Sequence, residues 1–295
     1  MRRSISYYIT LMFIKLKGIK RNFSEDPINF KKIRREDIHR PGGPFFKKYL
    51  LRTFEISNSL ISEIAFNKDA DNLLIFIHGG AFISGPAQHH WDSVKEIAKN
   101  SNHKIWMCDY PKAPENQIDH ISENIDAIYA AALKSHQANQ IAIIGDSVGG
   151  TLATALIQRL ILKNVELPHK LILITPVMDS SMTNPKIETL EEVDPMLSKK
   201  GVLSAKRMCA GNKDLNDPML SPLFGNFKGF PTTVLFLAQN DIMYPDGKLA
   251  EIEMKKNKVD IEVIDGKYMP HIWPLLPVMK EANIALKEVI KTLNS

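Results

Sequence analysis

One stretch limits what this chain can fold into more than any other. Residues 141 to 150 read Ile-Ala-Ile-Ile-Gly-Asp-Ser-Val-Gly-Gly. A short apolar β-type run ends at Ile144, and a helix-compatible run, TLATALIQRLIL, follows from close to Val148. A chain that turns from a strand straight into a helix holds its turn residue in a strained backbone geometry. Gly145 and Gly149, two positions either side of Ser147, keep β-carbons out of the neighbouring backbone. The serine hydroxyl is then presented at a helix N-terminus, at the top of a sheet. Two readings stand at this point: a serine nucleophile, or a plain glycine-rich turn of the kind that takes phosphate. What separates them is whether a base, an acid and a set of oxyanion donors follow in a workable order.

The surrounding sequence repeats one theme. Continuous apolar runs of strand length occur at 73–77 (LLIFI), 104–108 (KIWMC), 171–175 (LILIT), 233–237 (TVLFL) and 261–264. Helical patterns fall between or after them, at about 87–101, 119–135, 246–257 and 276–292, and residues 49–66 read as one or two further strands. Buried strands alternating with helices predict an α/β fold, with a mostly parallel central sheet covered by helices on both faces. Right-handed crossovers put the C-terminal ends of such strands on one edge, where ligands bind. The breaker cluster Arg40-Pro41-Gly42-Gly43-Pro44 predicts a boundary, and a polar, proline-bearing stretch interrupts the alternation. The expected organisation is an N-terminal segment over 1–50, a core over 51–180 and 217–295, and an insertion over 181–216.

Four strand exits carry chemistry: His78-Gly79-Gly80-Ala81, Ser147, Asp241 and His271. Serine is a weak nucleophile until a base takes its proton, and the base needs an orienting acid. His271 is the one histidine in a strand-exit loop downstream of Ser147, and it is the candidate base; the alternative is a satisfied loop histidine. Asp241 is the candidate acid, with a turn or capping role as its alternative and Asp246 as a rival for either job. The amide of Val148 is a candidate oxyanion donor, and the glycine-rich loop at 78–81 lets backbone approach closely enough to supply others.

Charge is unevenly spread. The whole chain carries a formal net charge of +5, yet residues 1–52 hold 14 Lys and Arg against 4 Asp and Glu. Ile5, Tyr8, Met12, Leu16 and Ile19 recur at helical spacing after Arg2-Arg3. The run Ile5–Ile14 is too short to span a bilayer, and no small-residue cleavage site follows it. Two places for this basic amphipathic helix stay open: packed on the core, or lying on a membrane surface as a peripheral contact. No nucleic-acid motif accompanies the charge, so nucleic acid is not expected as a partner. The two cysteines, Cys108 and Cys209, form no disulfide framework, and a cytoplasmic location, with that membrane contact as an option, is expected. No metal is expected: His89 and His90 are adjacent, about 100° apart on a helix, and no cysteine or carboxylate pattern joins them. Nothing sets the oligomeric state.

Taken as a set, His78-Gly79-Gly80-Ala81-Phe82 and Gly145-Asp146-Ser147-Val148-Gly149-Gly150 resemble the hormone-sensitive-lipase-like branch of α/β-hydrolases, marked by an HGGG loop and a GDSAGG elbow. Asp109-Tyr110-Pro111-Lys112-Ala113-Pro114-Glu115 is similar to that branch's DYRLAPE. Asp217-Pro218 with Ser221-Pro222 is similar to its DP…SP, and Asp241 falls on the first aspartate of its D-x-L-x-D. The resemblance covers about residues 70–290. It implies an α/β-hydrolase fold with a helical cap made from the N-terminus and the insertion. It also implies cofactor-free hydrolysis of small-molecule carboxylic esters, here of short to medium acyl chains, through an acyl-enzyme. Ser147, Asp241 and His271 would be catalytic, with Gly79, Gly80, Ala81 and Val148 forming the oxyanion hole: Gly79 shapes the turn and the others donate. A lipase at a lipid interface, an amide or sugar deacetylase, and a non-catalytic ligand-binding relative are the alternatives.

The sequence departs from the branch at five places. Ala81 stands for a glycine, tolerable at negative φ, and Val148 for an alanine, which narrows the acyl site. Pro111 stands for an arginine, so that residue's fork of hydrogen bonds is missing. Ile272 stands for the glycine after the histidine, and Asp246 comes one residue late for the second aspartate.

Overall fold

The computed structural model describes residues 3–295; Met1 and Arg2, the start of the N-terminal segment and part of its basic charge, lie outside the described residues. Eight strands form one sheet: β1 (Leu50–Ile56), β2 (Ser59–Ile64), β3 (Asn72–Ile77), β4 (His103–Asp109), β5 (Ile141–Asp146), β6 (Lys170–Ile174), β7 (Thr232–Asn240) and β8 (Ile261–Pro270). Their spatial order is β1-β2-β4-β3-β5-β6-β7-β8. The β1–β2 and β2–β4 pairings are antiparallel, and every pairing from β4 across to β8 is parallel. The predicted α/β architecture is the observed one.

The helices are α1 (Ile5–Leu16), α2 (Ile19–Asn22), α3 (Phe30–Ile33), α4 (Pro44–Tyr49), α5 (Gln88–Asn100), α6 (Ile118–Ala132), α7 (Val148–Leu162), α8 (Lys186–Val193), α9 (Lys199–Ala210), α10 (Tyr244–Lys256) and α11 (Lys280–Asn294). The central strands β5 and β6 are buried along their whole length, which is why they read as unbroken apolar runs. The edge strand β8 alternates between half-buried and exposed residues, and it runs to Pro270 rather than stopping at Ile264. Its polar second half hid that extension. Similarly β5 reaches Asp146, two residues past the end of the apolar run, because Gly145 and Asp146 still pair with Leu173 and Ile174.

The stretch between β6 and β7 carries α8 and α9, and it packs against the N-terminal segment. A β-carbon on Gly201 of α9 would sit 2.0 Å from the Phe23 carbonyl oxygen, so these backbones touch through a glycine. The Ile28 amide donates to Ser204 Oγ at 3.0 Å, and Lys20 Nζ donates to the Asp194 carbonyl at 2.8 Å. The helix α1 is present, and of the two placements left open its apolar stripe takes the one facing away from the core. Tyr7, Thr10 and Ile14 are buried, whereas Ile5, Tyr8, Met12 and Leu16 are exposed. No helix among the described residues is long and apolar enough to cross a membrane.

Candidate active site

Ser147 follows β5 directly and precedes α7, with φ 51° and ψ −123°. This positive φ is costly for a residue with a β-carbon, and the surroundings hold it in place. The Ser147 amide donates to the Ile174 carbonyl at 2.9 Å, and its carbonyl accepts from Val177 at 3.2 Å, so the end of β6 clamps the turn from both sides. The flanking glycines are steric necessities. A β-carbon on Gly145 would lie 2.4 Å from the Gly149 carbonyl oxygen, and one on Gly149 would lie 2.0 Å from that of Ile77.

Two strands away, Asp241 follows β7, and His271 follows the adjacent β8. His271 Nδ1 and Asp241 Oδ2 are 2.7 Å apart, with both residues buried. An ionised carboxylate only accepts, so Nδ1 carries the proton and Nε2 presents a lone pair. Burial works against the imidazolium, but the carboxylates of Asp241, Asp194 and Asp146 outweigh it and hold His271 above the ordinary histidine range. The other oxygen of Asp241 accepts from the Met243 amide at 2.8 Å. Asp246 does not reach the imidazole; it accepts from Asn184 Nδ2 at 2.7 Å, and burial pushes its carboxyl up to about 6. The residue after the histidine, Ile272, sits at φ 50°, where the related motif has glycine. Its amide donates to Thr175 Oγ1 at 3.0 Å, which ties the His271 loop to the exit of β6.

The loop after β3 runs beside Ser147. The Gly79 amide donates to Asp146 Oδ1 at 2.9 Å. Of the four residues expected to form an oxyanion hole, Gly79 is therefore the one whose N–H is spent; it shapes the turn and does not donate outward. Gly80, Ala81 and Phe82 follow at φ 123°, 54° and 64°. The tolerance expected for Ala81 assumed negative φ, and the structure puts it in the left-handed region. The loop needs that conformation, and an alanine there costs on the order of 1 kcal/mol against glycine. Val148 is buried at the first position of α7, where helix geometry leaves its N–H without an intrahelical acceptor.

Asp146 also meets His90, whose Nε2 lies 3.3 Å from Asp146 Oδ1. His89, His90 and Asp146 bring ligand atoms within 4.8 Å of one another, so a carboxylate does join the two histidines, contrary to the expectation from spacing. The carboxylate comes from β5, which no local pattern in α5 could reveal. His90 Nδ1 accepts from the Ala87 amide at 2.9 Å, so its Nε2 carries the proton toward Asp146, while His89 Nε2 is buried without a hydrogen-bond partner.

Sequence reasoning missed three contributors. Asp194, between α8 and α9, is buried, and its Oδ2 accepts from the Ile242 amide at 3.0 Å, next door to Asp241. Burial and the charge of Asp241 raise its carboxyl above the usual range. Lys206 of α9 is wholly buried, with Nζ 3.3 Å from the Asp179 carbonyl oxygen and 2.9 Å from Met182 Sδ. Burial lowers its ammonium to about 7 against the attraction of Asp179, Asp246 and Asp241. Arg34 repairs what Pro111 lacks. It donates bidentately to Glu115, and to the Ala113 and Ile83 carbonyls at 2.6 Å each. An arginine thus does fork into this loop, from the N-terminal segment rather than from within the motif.

A family described as the alpha/beta hydrolase fold matches residues 74–275. An esterase of Acinetobacter venetianus is 29% identical over 215 residues, which are 72% of this chain and 70% of that protein. A triacylglycerol lipase of Mycobacterium tuberculosis is 24% identical over 204 residues, 69% of this chain but 42% of that longer protein. A crystal structure of an esterase from the bacterial hormone-sensitive lipase family superposes with a TM-score of 0.87 at 21% identity, covering 100% of this chain and 99% of that one; at this identity it speaks to the fold alone. The chain belongs to the α/β-hydrolase fold family.

Proposed function

We propose that the chain hydrolyses carboxylic esters by a serine acyl-enzyme route. Ser147 Oγ attacks the ester carbonyl carbon and gives its proton to His271 Nε2, while Asp241 holds the imidazole by Nδ1–H and balances the imidazolium. The oxyanion accepts from the amides of Gly80, Ala81 and Val148. Collapse of the tetrahedral intermediate breaks the bond to the alcohol oxygen, which leaves with the proton from His271. Water then repeats the sequence on the acyl-enzyme and frees the acid. The observation that carries this reading is the buried 2.7 Å His271–Asp241 pair on the same sheet edge as a serine held at φ 51°. The esterase and lipase names of the relatives support it.

Residues 1–50 and 181–216 form the cap over the core at 51–180 and 217–295. The Gly201–Phe23 approach and the Lys20–Asp194 contact support joining the two segments in one lid. Substrates are esters of short to medium acyl chains, with buried Val148 restricting the acyl side. The test is labelling by a fluorophosphonate and cleavage of p-nitrophenyl butyrate. Wild type labels once and turns over, and Ser147→Ala does neither; a Ser147→Ala protein that still labels and cleaves would end the proposal.

A further inference from the structure

The outward face of α1 has no task in the chemistry above. Its residues advance about 100° per position, so Ile5, Tyr8, Ile9, Met12, Phe13 and Leu16 share an arc of about 140°. Their exposures are 80, 56, 48, 59, 57 and 76% in that order. A soluble surface rarely gathers six large apolar side chains in one strip. The strip is rigidly mounted. On the opposite face Tyr7, Thr10 and Ile14 are buried, Tyr7 Oη donates to the Tyr268 carbonyl at 2.9 Å, and Ser4 donates twice to the Glu281 carboxylate at 2.7 Å. Exposed Lys15 and Lys17 lie on either flank of the apolar arc.

We propose that this face of α1 docks the protein on an anionic lipid bilayer, the apolar strip entering the acyl boundary and the flanking lysines meeting lipid headgroups. The charge decides between occupants. A second copy of α1, whose sequence ISYYITLMFIKL carries no acidic residue, would bring no negative charge to Lys15 and Lys17, whereas anionic headgroups complement them. The segment of residues 1–52, with 14 Lys and Arg against 4 Asp and Glu, strengthens that preference. The short helix geometry also fits: α1 is 12 residues long and lies in an interface rather than crossing it. The proposal rests on the hydrolase reading only for its consequence, that ester substrates are drawn from or near the bilayer.

The experiment is sedimentation of the full chain with phosphatidylcholine vesicles, with and without phosphatidylglycerol, alongside the variant Met12→Gln/Phe13→Gln/Leu16→Gln. Those three side chains are exposed, so the variant keeps its core, and p-nitrophenyl butyrate turnover verifies the fold. Expected is binding to the phosphatidylglycerol vesicles that weakens in high salt and with phosphatidylcholine alone, and that drops about tenfold or more in the variant at unchanged turnover. Wild type left in the supernatant, or a variant that binds equally well, overturns the proposal. So does a wild-type dimer that the variant converts to monomer, which would assign the face to a second copy. Vesicle binding by a protein that no fluorophosphonate labels would sink the hydrolase reading and leave the docking surface standing.

Discussion

Gly149→Ala is the substitution for which the structure gives the sharpest expectation. Gly149 is the second residue of α7, and its Cα faces the end of β3. An added methyl would sit 2.0 Å from the Ile77 carbonyl oxygen, 2.7 Å from that of His78 and 2.8 Å from the His78 carbonyl carbon. All three are backbone atoms in or directly after a buried strand, so no side chain can swing aside. Real contacts of this kind stay above 3.0 Å, so helix and strand must part by about 1 Å. Overpacking of this sort costs about 1–3 kcal/mol. With roughly 2 cal/mol/K of unfolding entropy per residue, a chain of this length loses about 2–5 °C of Tm. The functional loss is larger, because the displaced atoms lead straight into Gly79, Gly80 and Ala81. A misplacement of about 1 Å, or the loss of one oxyanion donor, lowers kcat by about 10²-fold. The assay is thermal unfolding by circular dichroism together with kcat on p-nitrophenyl butyrate. The matched control is Gly42→Ala, where an added β-carbon meets nothing within 4 Å. A Gly149→Ala enzyme with wild-type kcat and Tm would refute the reasoning, because the close approach of α7 to β3 would then not set the donors' position.

Other expectations follow from the same geometry. The base form of His271 is neutral, and its folded pKa is raised, so kcat/KM should climb with pH through a midpoint above the ordinary 6.5. Asp194→Asn removes one of the negative charges that favour the imidazolium and should move that midpoint to lower pH with the alkaline plateau retained; a pH profile of kcat/KM reads both, and an unmoved midpoint would strip Asp194 of any role in positioning the charge. Arg34→Ala should cost about 1–2 kcal/mol, or roughly 2–3 °C of Tm, mostly from its two bonds to the Ile83 and Ala113 carbonyls, since its partner Glu115 is largely exposed. Arg34→Lys should recover little of this in the same melt, because an ammonium cannot make the fork.

The parts of the fold that were legible in the sequence are those whose environment is uniform. Leu73–Ile77 and Leu171–Ile174 are apolar throughout because both faces of their strands are covered. The candidate residues Ser147, Asp241 and His271 were legible for a related reason. Ser147 and Asp241 directly follow the buried strands β5 and β7, so finding the strand locates the residue; His271 was found instead as the histidine downstream of the last apolar run. The half-exposed edge was not legible: β8 beyond Ile264 is polar enough to resemble a loop. The side on which α1 packs was left open because helical spacing identifies a stripe and not what lies against it. Here the more apolar stripe faces out, and the core contact is made by Tyr7, Thr10 and Ile14.

The contributions of Asp194, Lys206 and Arg34 were hidden for a different reason. Each is a charged side chain in a segment whose composition reads as solvated surface, and each is drawn inward by a partner 27 to 49 residues away in sequence. Asp194 and Lys206 share a setting. Asp179, Asp194, Asp241 and Asp246 are all buried, and one buried cation, Lys206, lies among them. Bringing so many like charges out of water is unfavourable unless some are neutralised or hydrogen-bonded. Asp194 answers with three backbone N–H donors, from Met196, Leu197 and Ile242, the last of them across from α8–α9 to the Asp241 loop. The segment carrying α8 and α9 therefore reaches the candidate site through charge as well as packing. Its carboxylate and its lysine enter the electrostatics of the His271–Asp241 pair from behind, so a change in how α8 and α9 seat would alter the base without touching it.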